Sequence, residues 1–207
     1  MTDVGLRERK KVRTRRIIAD AAARLFAERG YERVAVSDVA RAAEVSEQTV
    51  YNYFQTKEQL VTDLDQDFQD QLSRLIRARA PGTTPAGAIR ELVLDSVDAI
   101  RRVPAEQWRG ELGYLAAISP TVHRLLLEMS DRQAASIATA ISETSTVTPE
   151  LARLQGIALA GVFQILISEA GRRAHEGQTQ DQIADAVRPA IEAILDNLDR
   201  WLTLTTS

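Results

Sequence analysis

VSDVARAAEVSEQTVYNYFQTKEQL, residues Val36 to Leu60, decides how the rest of this chain is read. Apolar residues fall at Val36, Val39, Ala40, Ala43, Val45, Val50 and Phe54, a spacing that gives two short helices one buried face each. A tight turn at Glu44-Val45-Ser46 separates them. Ser46 is a natural N-cap for the second helix, because its hydroxyl can accept from a free first-turn amide. That helix leaves Glu47, Gln48, Thr49, Tyr51, Asn52 and Tyr53 with little apolar work. Hydrogen-bonding side chains of mixed type on one exposed turn and a half suit a DNA major groove, where base edges and phosphates both need partners.

Upstream, the periodicity predicts a helix over 14–29. Ile17, Ala21 and Leu25 with Ile18, Ala22 and Phe26 form its buried stripe, Thr14 caps it and Gly30 ends it. The next helix is expected over 37–43, with Ser37 as the nearest capping hydroxyl. Residues 1–10 read as a mobile basic tail, part of a run from Arg7 to Arg16 that carries seven basic residues and one acid. Such a run beside a helix-turn-helix can reach phosphates or the minor groove, each contact adding affinity through counterion release.

Downstream, Lys57 is expected to open a long helix to Arg79, with Leu60, Leu64, Phe68, Leu72, Leu75 and Ile76 on its core side. The run Asp63-x-Asp65-x-Asp67 resembles the start of a calcium loop. Phe68 and Arg74 stand where that loop needs glycine and glutamate, so a solvated helix face is the better reading. Pro81-Gly82-Thr83-Thr84-Pro85 then breaks the chain. Helices follow at 86–102, 105–118, 120–143, 149–175 and 180–203, with Pro104 and Pro120 at first-turn positions. No strand-like alternation appears, so the fold class is all-α.

From Ile157 to Ile167 only Gln164 is strongly polar, and a helix apolar on all sides must be covered on all sides. The last helix has a narrower stripe of Ile183, Val187, Ala190, Ile194, Leu198 and Leu202. Paired with the same two helices of a second chain, they would form a four-helix interface with two-fold symmetry. A monomer whose core uses both helices is the plainer alternative.

The 207 residues carry a net charge of −3, but unevenly. Residues 1–60 hold 12 Lys+Arg against 9 Asp+Glu, and residues 61–207 hold 14 against 20. A weakly acidic chain can still bind DNA when its positive charge is gathered at one end. With no cysteine, a disulfide framework, a zinc–thiolate site and a thiol nucleophile are excluded. The longest charge-free stretch, between Arg153 and Glu169, is 15 residues, short of the ~20 a membrane span needs. The two histidines lie near no convincing partner, so neither a metal site, nor a catalytic site, nor a cofactor is expected.

Leu25-Phe26, Gly30-Tyr31, Val39-Ala40 with Ala43, Val45-Ser46, Thr49-Val50-Tyr51-Asn52-Tyr53-Phe54 and Lys57-Glu58 with Leu60 resemble the DNA-binding domain of the tetracycline-repressor (TetR) family of bacterial regulators. The likeness is detailed over about residues 11 to 62. It departs at Ala35, where the family usually has threonine, and at Glu44, where it most often has glycine. The resemblance implies a helix-turn-helix domain at 11–60 and a ligand-binding and dimerisation domain at 61–207. It implies a cytoplasmic, non-enzymatic regulator, most simply a repressor, that binds a near-palindromic operator as a homodimer through helices 149–175 and 180–203. Glu47, Gln48 and Asn52 would reach base edges, Ser37 is a further DNA position, and Ser46, Thr49, Tyr51, Tyr53 and Lys57 would hold phosphates. A small-molecule effector would sit among Trp108, Glu111, Tyr114, His123, Phe163 and Gln164. A second reading gives the C-terminal domain a protein partner instead.

Overall fold

The computed structural model describes residues 3–62, 65–104 and 107–205, with side chains described from Arg9 in the first segment and from Phe68 in the second. The described residues form helices α1 (Asp3–Arg29), α2 (Val36–Ala42), α3 (Glu47–Tyr53), α4 (Asp65–Arg77), α5 (Pro85–Ile100), α6 (Leu112–Ile118), α7 (Pro120–Thr144), α8 (Pro149–His175) and α9 (Gln180–Thr205). Three 3₁₀ turns, Tyr31–Arg33, Glu58–Leu60 and Trp108–Gly110, join them, and there is no strand among the described residues.

Three of the long helices start in the same way. Thr84, Ser119 and Thr148 accept from the amides of Gly87, Val122 and Leu151 at 3.0, 3.1 and 3.3 Å. Each is followed by proline at the first helical position, which has no amide to leave unsatisfied. Hydroxyl and proline together stop the preceding segment and start the next.

The buried side chains form two clusters. The first unites α1, α2 and α3 through Ile18, Phe26, Tyr31, Val39, Val50, Phe54 and Leu60, and it also takes in Leu115, Ala116, Val122 and Leu126 from α6 and α7. The second fills the space between α4, α5, α7, α8 and α9, with Leu72, Ile76, Ile89, Val93, Ile137, Leu159, Phe163, Ile191 and Leu195. Glycines permit the tightest crossings. A Cβ on Gly110 would meet the Ala23 carbonyl oxygen at 2.4 Å, one on Gly156 the Ala134 carbonyl oxygen at 2.4 Å, and one on Gly171 the Gly113 carbonyl oxygen at 1.9 Å. Along the outside, Arg101 pairs with Asp181 and Asp185 at 2.8 and 2.6 Å, and Arg188 with Asp98 at 2.8 Å, setting the register of α9 on α5.

Several expectations are corrected. α1 begins at Asp3, so residues 3–10 are helix rather than a mobile tail, and Thr14 lies inside α1 rather than capping it. Ile17 is 42% exposed and stands outside the stripe, which runs through Ile18, Ala21, Ala22, Leu25 and Phe26. α2 starts at Val36, and the Asp38 carboxylate, not the Ser37 hydroxyl, accepts from its cap, the Ala35 amide, at 3.0 Å. Lys57 opens a 3₁₀ turn instead of a long helix, and α4 runs only from Asp65 to Arg77. Asp63 and Leu64 lie outside the described residues, as do the side chains of Asp65 and Asp67. The segment expected as one helix over 105–118 is a 3₁₀ turn followed by α6, with residues 105 and 106 outside the described part. On α9 the buried stripe is Ile183, Val187, Ile191, Leu195 and Leu202, while Ala190 faces water and Ile194 and Leu198 are half-buried. α8 is long and apolar enough to cross a bilayer, contrary to the expectation from its charge-free length, but much of it is buried against its neighbours, as in a core helix.

Candidate nucleic-acid interface

The candidate interface is built on α3. Ser46 caps it, with Oγ accepting the Thr49 amide at 3.0 Å and lying 2.8 Å from Thr49 Oγ1. Val50 and Phe54 are buried, and that one-sided burial turns Glu47, Gln48, Tyr51 and Asn52 outward. Gln48 Nε2 donates to Asn52 Oδ1 at 3.1 Å, one turn along, so the two amides face solvent as a linked pair. Such amides can make two bonds each to an adenine edge. The turn before α3 is closed by the Val45 amide on the Ala40 carbonyl at 2.9 Å. Glu44 sits there with φ 55°, in the left-handed region where a Cβ is strained and glycine is at ease.

The end of α3 is held by α1. Arg15 Nη1 donates to the Tyr53 carbonyl at 3.2 Å, and its guanidinium lies 4.8 Å from the centre of the Phe54 ring. Tyr53 is half-buried against the first cluster, whereas Tyr51 is 45% exposed. Of the two tyrosines, Tyr51 is therefore the one presented outward, and Tyr53 the one that packs. Ser37 is half-buried in the first turn of α2.

Lys57, expected to hold a phosphate, has partners within the chain. Its Nζ donates to the Tyr31 carbonyl at 2.6 Å and lies 4.1 Å from the centre of the Tyr31 ring. Burial lowers the Lys57 pKa, against the opposing pull of Glu32 and Glu58. Burial likewise raises the Tyr31 hydroxyl, and the adjacent Glu58 carboxylate adds to it. The ammonium thus ties the 3₁₀ turn after α3 to the one after α1. Lys57→Ala is expected to cost about 1–3 kcal/mol of stability, from a charge-assisted hydrogen bond and a cation–ring contact, while leaving the salt dependence of DNA binding nearly unchanged. Thermal melts and salt titrations of the variant would check both halves. A flattened salt slope with an unchanged melt would return Lys57 to the phosphates.

The six proposed effector-site residues are only partly brought together. Trp108 and Tyr114 pack against the second cluster, in which Phe163 is buried, edge-on to Phe68 with ring centres 4.8 Å apart. Trp108 Nε1 is buried without a hydrogen-bond partner among the described residues. Glu111 stands just before α6, its carboxyl pushed up by desolvation, and Tyr114 meets the His175 ring at 5.8 Å. Gln164 accepts from Ser130 Oγ at 3.2 Å, and His123 is exposed on α7. A groove of about 570 Å³ lies elsewhere, between the segments 77–85 and 144–147, and none of the six lines it. Arg79, in that groove, ties the two segments together by donating to Thr144 Oγ1 and Ser145 Oγ at 2.5 and 2.7 Å. Sequence reasoning missed Arg15 as the brace of α3. Its signal was the position of a basic residue in the helix that must pack on Phe54.

A capped turn, a seven-residue helix with one buried face and a row of outward amides define a helix-turn-helix DNA-binding protein. Residues 18–64, which hold the last turns of α1 and all of α2 and α3, match the family model described as bacterial regulatory proteins, tetR family. Over 150 residues, 72% of this chain and 62% of the relative, it is 26% identical to the HTH-type transcriptional regulator TcmR of Streptomyces glaucescens. Over 76 residues, 37% of this chain and 39% of the relative, it is 35% identical to the HTH-type dhaKLM operon transcriptional activator DhaS of Lactococcus lactis. The matches thus span less than two thirds of either relative, and both are named as transcriptional regulators rather than enzymes. Among solved structures, native NalD of Pseudomonas aeruginosa, described as the secondary repressor of the MexAB-OprM multidrug efflux pump, shares the fold with a TM-score of 0.58 at 20% identity, over 91% of this chain and 96% of that one.

Proposed function

We propose that this regulator acts as a repressor, binding a near-palindromic operator as a homodimer and released by a small molecule held in the second domain. The observation that carries the reading is the outward face of α3, where Gln48, Tyr51 and Asn52 are exposed behind a capped turn. Two-fold DNA calls for two such faces, and α8 supports the pairing. Leu154, Ile157 and Ile165 are 52%, 52% and 48% exposed along one side of it, leaving an apolar strip without a neighbour in one protomer. The basic start of α1 extends the same interface. Lys10, Lys11, Arg13 and Arg16 are exposed on a helix that passes the end of α3 at Arg15, so flanking phosphates are its natural partner.

Release by a ligand requires the ligand to favour a conformation whose recognition helices no longer match the half-sites. A second reading gives the second domain a protein partner instead. It draws on Phe163 being buried edge-on to Phe68 and on the groove between segments 77–85 and 144–147 lying away from all six candidate residues.

The test is binding of the purified protein to DNA upstream of its own gene, titrated against salt and footprinted. Tight, salt-steep binding with two protected half-sites is the expected result. The same complex then reports which small molecules release it. Binding there no tighter than to random DNA would remove that operator from the proposal.

A further inference from the structure

Helix α8 contains three glycines, and a glycine inside a helix is unfavourable relative to alanine, so each one needs a reason. At Gly156 and Gly171 the reason is inside the molecule. A Cβ there would strike the Ala134 and Gly113 carbonyl oxygens, because α7 and α6 cross α8 backbone to backbone. At Gly161 a Cβ would meet nothing within 4 Å. The third glycine therefore lacks, within one protomer, the close neighbour that accounts for the other two.

Its surroundings point to the missing neighbour. Gly161 stands midway along a strip that runs from Leu154 through Ile157, Ala158 and Ile165 to Ser168. Leu154, Ile157 and Ile165 are exposed, and Ala158, Gly161 and Ser168 are half-exposed. No charged residue lies between Arg153 and Glu169. Beyond the strip, each end carries both signs, Glu150 with Arg153 at one and Glu169 with Arg172 at the other. An uncharged strip with mixed-sign ends and a notch at its centre can meet itself across a two-fold axis without placing like charges together.

We infer that Gly161 is the point where α8 crosses α8 of a second copy, with the two-fold axis passing beside it. The missing side chain lets the two backbones approach, and Ile157 and Ile165 fill the space on either side of the crossing. This rests on the homodimer reading above and adds to it the location of the axis.

The test uses a substitution for which the two possibilities predict opposite signs. In an uncrowded helix Gly161→Ala improves helix propensity and leaves association alone or tightens it. At a backbone crossing the added methyl forces the helices apart, and the dimer dissociation constant should rise about tenfold, the equivalent of about 1.4 kcal/mol. Gly161→Leu should leave a folded monomer at micromolar concentration, since its side chain enters open space in one protomer. Sedimentation equilibrium reads the dissociation constant, and circular dichroism confirms that the helices are intact. A dimer unchanged or tightened by Gly161→Ala and retained by Gly161→Leu overturns the crossing and leaves the dimer standing. A wild-type protein that stays monomeric overturns the dimer itself, a result visible before any variant is made.

Discussion

Gly171→Ala should lower the melting temperature of this protein by about 10 °C, and Gly171→Val should prevent it from folding at ordinary temperature. A Cβ at position 171 would lie 1.9 Å from the Gly113 carbonyl oxygen, 2.0 Å from the Gly113 carbonyl carbon and 2.7 Å from the Tyr114 amide nitrogen. All three are backbone atoms, so no flexible side chain can swing aside. Relief requires α6 to lift from α8 as a body. That helix carries Leu115 and Ala116 into the first cluster and Tyr114 onto the second, so lifting it loosens both. Ordinary overpacking costs about 1–3 kcal/mol, and a clash confined to backbone belongs at the top of that range or above it. A domain stable by only about 5–15 kcal/mol has little room for the branched variant. Thermal melts by circular dichroism decide the matter. An unchanged melt for Gly171→Ala would mean that the helices cross more loosely than 1.9 Å implies.

Removing the amides of α3 should act on sequence discrimination and leave stability alone. Gln48→Ala and Asn52→Ala are each expected to weaken operator binding by roughly tenfold to a hundredfold, the loss of one good base contact. Binding to random DNA should change little, and the salt slope should stay the same, because neither side chain carries a charge to exchange for counterions. The two side chains are joined by the 3.1 Å bond from Gln48 to Asn52, so the double variant should lose less than the sum of the singles. Fluorescence anisotropy on operator and scrambled DNA checks all of this. An equal loss on both DNAs would assign these residues to positioning rather than to reading.

What could be seen in the sequence was whatever short-range chemistry dictates. Pro149 and His175 bound α8 as expected, since proline and the hydroxyl before it act locally. Ser46 capped α3 as expected for the same reason. The tie from Lys57 to the Tyr31 carbonyl, 26 residues back, was not legible, because no spacing rule connects a side chain to a distant backbone oxygen. Ile17 was misplaced because Ile17 and Ile18 both fit an apolar stripe, and only packing against α2 and α3 chooses Ile18. The start of α1 was missed because its basic side chains suggest solvation, whereas arginine, lysine and glutamate are also good helix formers. Glycine crossings are the least visible of all, since a missing Cβ says nothing about which backbone will come to fill the gap.

The Ser119 hydroxyl that caps α7 also donates to the Glu32 carboxylate, and Leu115, Val122 and Leu126 are buried with the side chains of α1 to α3. Modularity in this chain is therefore narrower than its sequence of parts suggests. A chimera that borrows residues 1–60 from a relative to change operator choice would set a foreign surface against these four residues and against Gly110, which lies on the Ala23 carbonyl. The unit that can be exchanged with little loss is residues 1–60 together with the Trp108–Gly110 turn, α6 and the first two turns of α7, two stretches of chain separated by the whole of α4 and α5.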